Sequence, residues 1–215
     1  MKPPLAFRHL LGAASLTLPL MAYAESNVQT GAGTLNATAH VDFQITIPQI
    51  LYLRVGTGSS YTTGVLATNA TVDQIVFAPA VGVLGNGTAV AATSGGDAGV
   101  GQETAAIIGN GGAVTLSATT AGALNNGVAT DTIAYTQITT KATTLTSATA
   151  LTPPTLVNGA STTVTVPAVN GIVNQDAKWT YAYANSAGVP AAGTYGGGGV
   201  TNVNNGRVTY TASMP

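Results

Sequence analysis

LNATAHVDFQITIP, residues 35–48, decides how the chain is read. From Leu35 to Ile47 every odd position is apolar: Leu35, Ala37, Ala39, Val41, Phe43, Ile45 and Ile47. Every even position is polar: Asn36, Thr38, His40, Asp42, Gln44 and Thr46. Side chains alternate faces along a strand, so the pattern predicts one long two-faced β-strand. Fully extended at about 3.3 Å per residue it spans roughly 43 Å, against a usual strand of about 17–20 Å. A strand of that length needs a use.

Upstream lies an export signal. Lys2 and Arg8 precede an apolar stretch from Leu10 to Met21, then Ala22-Tyr23-Ala24. That is the layout of a secretory signal peptide, with cleavage expected between Ala24 and Glu25. The apolar stretch falls short of the ~20 residues a membrane-spanning helix needs. No later stretch is long and apolar enough to span, so the mature chain is expected to carry no transmembrane segment.

Charge is scarce. Charged residues make up 6% of the chain, where about 25% is usual. After Ala24 the basic residues are Arg54, Lys141, Lys178 and Arg207. Four scattered cations cannot form the basic stripe that nucleic-acid binding needs, so no nucleic-acid partner is expected. Thr, Ser, Asn and Gly must cover the surface, which suits a protein that associates with itself. Cysteine is absent, which excludes disulfides, thiol nucleophiles and cysteine-ligated metals.

Downstream, strand-like runs recur between turn-rich segments, with no convincing helical period. They are QILYLRVG (49–56), apolar on both faces and read as central, ATVDQIVFAP (70–79), GAVTLSAT (112–119), TIAYTQIT (132–139) with a bend before Ile138, STTVTVPAV (161–169) and KWTYAYAN (178–185). Asn205-Gly206 signals a two-residue hairpin joining Val200–Val203 to Val208, Tyr210 and Ala212. Residues 85–112 and 139–160 read as loops. The expected fold is all-β: an immunoglobulin-like sandwich with Greek-key connections. The expected organisation is a signal peptide (1–24), an N-terminal extension (25–39) and one sandwich domain (40–215).

Catalysis needs residues in sets, and the sets are missing. His40 is the one histidine after the signal peptide, and no G-x-S-x-G elbow accompanies it. It reads as a solvated strand residue. Asp97 and Glu103 lie in a Gly-rich segment without Asp-x-Asp or EF-hand spacing, so no metal ligands are assigned. The glycines of 56–58, 85–87 and 109–112 lack a P-loop lysine and read as turn glycines. No cofactor and no enzymatic activity are expected. Trp179, Tyr181 and Tyr183 share one face and read as sandwich core rather than a sugar platform.

The opening strand has two uses. It can be the first strand of its own domain, or its leading part can complete the sheet of a neighbouring molecule. Leu35, Ala37 and Ala39 are the smaller members and fit a strand threaded into a groove. Val41, Phe43, Ile45 and Ile47 are larger and read as ordinary core, which puts a division near His40.

The segments ATAHVDFQITIPQILYLRVGTG and AGTYGGGGVTNVNNGRVTYTASMP, at the two ends of the chain, resemble the fimbrial (pilus) subunits of Gram-negative bacteria assembled by the chaperone–usher route. The resemblance covers residues 25–56 and 178–215. It implies an immunoglobulin-like sandwich lacking its last strand, filled first by a periplasmic chaperone and then by the next subunit's N-terminal extension. Residues 28–39 are then the donor segment, its interface including Val28, Leu35, Ala37, Ala39 and the adjoining Val41. The closing strand, with Val208, Tyr210, Ala212 and Met214, borders the acceptor groove. The implied partners are further copies of the chain, a periplasmic chaperone and an outer-membrane usher, and the implied location is the cell surface after passage through the periplasm. Two features differ from many such subunits: there is no disulfide, and Met214 stands second to last, where an aromatic is common. The alternative reading is a monomeric exported β-sandwich, an adhesin or carbohydrate-binding module.

Overall fold

The structure, a computed structural model, describes residues 26–58, 68–197 and 203–215. The expected signal peptide lies outside them. The chain divides into two units, Met1–Ile47 and Pro48–Pro215.

In the first unit, residues 26–47 are assigned to neither helix nor strand, with a bend over 31–33. The apolar members of the alternating run stand in solvent: Val41 is 75% exposed, Phe43 89%, Ile45 85% and Ile47 76%. This corrects the expectation that these four belong to the core.

The second unit is an all-β sandwich. Its strands among the described residues are β1 (Leu51–Val55), β2 (Val76–Phe77), β3 (Val90–Ser94), β4 (Gln102–Gly109), β5 (Val114–Thr120), β6 (Leu124–Asn125), β7 (Thr132–Ile133), β8 (Ile138–Thr143), β9 (Ser161–Val166), β10 (Val173–Tyr183) and β11 (Val208–Ser213). Every pairing is antiparallel. β10 is the axis of the larger sheet. One edge pairs with β4 over Val173–Thr180 and then with β3 at Ala182 and Tyr183. Its other edge pairs with β8 over Lys178–Tyr183. β1 lies outside β4, and β2 outside β3. In the smaller sheet β5 is central, between β11 and β9. β6 and β7 form a separate short ladder.

The chain crosses between the two sheets five times: from β4 to β5, back to β8, on to β9, back to β10 and finally to β11. Gly112 N–H donates to Gly171 O (3.1 Å), tying the β4–β5 connection to the β9–β10 connection. Strand alternation sends one parity of each strand into the space between. From β4 these are Glu103, Ala105, Ile107 and Gly109; from β10, Val173, Ala177, Trp179, Tyr181 and Tyr183; from β5, Val114, Leu116, Ala118 and Thr120. Trp179 is fully buried and donates its indole N–H to Leu151 O (2.7 Å), which draws the loop after β8 over the core. Asp176 fixes the same loop, accepting from the backbone N–H groups of Thr146 (2.9 Å) and Ser147 (2.8 Å) and from both hydroxyls. Burial works against that carboxylate, but these donors outweigh it and hold its pKa below the usual value.

Several expectations are corrected. Residues 85–112 are not one loop, since they contain β3 and the central β4. β1 is an edge strand rather than a central one. The run at 70–79 keeps two strand residues. The turn before β11 is one residue earlier than Asn205-Gly206: Asn204 (φ 53°) and Asn205 (φ 60°) take the left-handed conformation. Val203 lies in that 3-10 turn, Val200–Asn202 fall outside the described residues, and the partner of β11 is β5. The bend expected before Ile138 is the 3-10 turn Tyr135–Gln137.

Leu116 is 0% exposed between the sheets, so Leu116→Ala is expected to cost about 2–5 kcal/mol of unfolding free energy in urea titration. Leu145→Ala, at an exposed position, should stay within about 0.5 kcal/mol.

Candidate functional site

Two features of the chain can carry function. The first is a pair of strand edges. β1 and β11 each pair on one side among the described residues, and they run near each other across the sandwich. Gly109 shows how close they come: a Cβ there would lie 3.2 Å from Met214 Sδ, 3.4 Å from Val114 Cγ2 and 3.5 Å from Leu51 Cδ1. Gln49 Nε2 also donates to Pro215 O (3.0 Å), fastening the approach to β1 to the end of β11. Val208, Tyr210 and Ala212 of β11, and Met214 just past its end, face inward, but each is half-buried where the central strands bury theirs fully. Tyr210 stacks obliquely on Trp179 (centroids 5.4 Å, 50°) and meets the Tyr181 hydroxyl at 3.2 Å. Burial pushes the Tyr210 hydroxyl up to about 12, so this contact joins two neutral groups at any physiological pH.

The residues expected to donate a strand lie in the first unit. Val28, Leu35, Ala37, Ala39 and Val41 are all exposed, as is His40, and none lies in a strand. The unburied apolar row continues through Ile47, past the division expected near His40.

The second feature is a group of carboxylates at the end of β1. Asp73, Asp97 and Glu103 bring one oxygen each within 4.8 Å of the others. Glu103 enters on the inward face of β4, directly opposite Trp179 in the ladder, and is 4% exposed. Asp97 comes from the Gly-rich turn between β3 and β4. Its backbone is open to solvent, but its side chain is turned in and 11% exposed. It accepts from Thr104 N–H (2.6 Å) and pairs with Arg54 (2.6 Å). Burial opposes the charge on Asp97, yet these partners prevail and its pKa stays low. Asp73 precedes β2 and accepts from Thr57 through both backbone N–H (2.5 Å) and hydroxyl (2.8 Å). Two glycines make the approach fit. Gly95 (φ 87°) lets the Gln74–Ile75 backbone pass where a side chain would stand. Gly56 (φ 84°) faces the carboxylates, and a Cβ there would lie 2.5 Å from Asp73 Oδ2 and 2.8 Å from Glu103 Oε2.

Glu103 has the strongest perturbation. Its burial, then the negative charge of Asp73, push its pKa up to about 8. Its Oε2 is the one buried side-chain oxygen or nitrogen without a hydrogen-bond partner among the described residues. Asp97 and Glu103 were visible in the sequence as two acids in a Gly-rich stretch. Asp73, remote in sequence and in no motif with them, was not.

No protein-family model matches the chain, and neither a curated protein nor a solved structure matches it.

Glu103 ionises near 4.5 when unfolded and near 8 when folded. The native state then holds the extra proton between those values, and stability falls as pH rises from about 4.5 to 8. In chelator-containing buffer, Glu103→Gln should flatten that decline, with a thermal midpoint above the wild type at pH 8 and close to it near pH 4.

Proposed function

We propose that this chain is a structural subunit of an extracellular surface fibre, polymerising as each copy donates its N-terminal segment as a strand to the sandwich of the next. The supporting observation is the exposed alternating row. Val41, Phe43, Ile45 and Ile47 stand in solvent on one parity of the segment. Burying each large apolar side chain is worth about 1.5–3 kcal/mol, and strand pairing with one apolar face is the arrangement their spacing suits. A second copy supplies a suitable receiver in β11, an edge strand whose inward row is half-covered. A strand added beside it would bury that row and end the exposed edge.

On this reading the role is assembly rather than catalysis. The row extends through Ile47, so the donor is Leu35–Ile47 rather than residues 28–39 alone. Such a strand must be kept from premature pairing during export. A periplasmic chaperone and an outer-membrane usher would provide that protection, with the cell surface as the destination.

The test compares the exported chain, intact and lacking residues 25–47, by size exclusion and negative-stain microscopy. A synthetic 25–47 peptide is added to a second sample of the deletion. Fibres from the intact protein, with unstable monomers from the deletion that the peptide stabilises, are the expected result. Equally stable monomers from both would overturn the fibre reading in favour of a monomeric adhesin or carbohydrate-binding module. Replacing both Phe43 and Ile45 with Asp should block assembly while leaving the thermal midpoint of the monomer unchanged.

A further inference from the structure

We infer that Asp73, Asp97 and Glu103 form a binding site for one calcium ion at the junction of β1, the β3–β4 turn and β4. Three observations meet there. The carboxylate oxygens converge within 4.8 Å of one another, a spacing that oxygens sharing an ion of 2.3–2.6 Å bond length can adopt. Glu103 is 4% exposed, and its Oε2 is without a partner. Other buried polar side chains of the sandwich are satisfied. Asn185, fully buried, donates to Val83 O (2.5 Å) and Thr88 O (3.3 Å) and accepts from Gly85 N–H (2.8 Å). Thr120 donates to Val157 O (2.5 Å) and accepts from Gly159 N–H (3.0 Å). A lone carboxylate oxygen among well-paired neighbours marks a missing partner. Lastly, Gly56 leaves open the space between Asp73 Oδ2 and Glu103 Oε2 that any Cβ would occupy.

The charges agree with a divalent ion. With Glu103 deprotonated, as binding of a cation would require, three carboxylates against one guanidinium, Arg54, leave two negative charges. The hydrogen bonds that Asp73 and Asp97 accept do not exhaust them, because each carboxylate oxygen has a second lone pair. They hold both side chains in place before any ion arrives. All-oxygen donors select hard cations. Calcium tolerates irregular geometry and six to eight ligands, whereas magnesium demands a near-ideal octahedron. Asp73 is half-exposed, so water can complete the shell from its side. Occupancy would tie the segment before β2 and the β3–β4 turn to β4.

The experiment is calorimetric titration of the mature chain with CaCl2 after dialysis against chelator at pH 7.5, with thermal midpoints recorded in parallel. NaCl and MgCl2 at matched ionic strength are the controls, and Glu103→Gln and Asp73→Asn the variants. Both substitutions keep side-chain shape, and circular dichroism checks their folding. The expected result is one saturable calcium site per chain and a midpoint raised by several degrees, with both responses lost in each variant. No heat of binding to the wild type, a response matched by MgCl2, or a wild-type response retained by either variant would each overturn the site.

Discussion

The antiparallel pairing of β4 with β10 is the constraint on which the rest of the sandwich depends. It runs from Val173 opposite Gly109 to Thr180 opposite Gln102, and it fixes which parity of each strand faces inward. A slip of one residue would turn Trp179 to solvent and Asp176 into the core. The neighbouring inward rung is small: Ala105 pairs with Ala177, and both are buried in one core with Trp179. Trp179 in turn brings Leu151 down as a lid and supports Tyr210 from the opposite sheet. A single side chain thereby joins both sheets and the β8–β9 connection between them.

The edges of this arrangement are its exposed side. Where β1 and β11 end the two sheets, inward-facing residues are half-covered and backbone groups point away from the ladders. Many β-proteins guard such edges with lysine or other charges. This chain has few charges to spend. On β11 the outward residues are Thr209, Thr211 and Ser213, polar but uncharged. An edge left this open, in a chain that also carries an exposed alternating segment, is consistent with two surfaces complementary between copies.

Much of the sandwich was legible because its strands obey period two in unmistakable residues. β5, with Val114, Leu116 and Ala118, and the aromatic half of β10 announce themselves. β4 did not. In QETAAIIG both parities contain Ala and Ile, so alternation in burial has no counterpart in hydropathy. Its Ala and Gly content lowers strand propensity as well. An interior strand of the larger sheet was hidden by the smallness of its residues. The position of β1 was misread for the converse reason. Ile50 and Tyr52 on one parity and Leu51, Leu53 and Val55 on the other suggest burial on both faces, but Arg54 bends to Asp97 and Gly56 at the rim. In residues 35–47 the alternation is plain, yet periodicity says only that two faces differ. It does not say which molecule covers the apolar one.

The carboxylate group was illegible for a different reason: it depends on tertiary approach alone. Asp73 reaches Glu103 because Gly95 and Gly56 let backbone pass where a side chain would block it, and neither glycine differs in sequence from an ordinary turn glycine. The cost of the arrangement is considerable. At an effective dielectric constant of about 20, two like charges about 5 Å apart repel by roughly 3 kcal/mol, and burial of Glu103 adds to that. A chain with 6% charged residues has little need to gather three acids for solubility, and one arginine does not neutralise them. Protonation of Glu103 relieves the repulsion below pH 8, but it leaves β1 and the turn joined by one ion pair. A divalent ion relieves the same repulsion and adds bonds from three separate segments to a single centre. Those segments flank β1, which pairs on one side alone among the described residues, so filling the site would stiffen that end of the larger sheet.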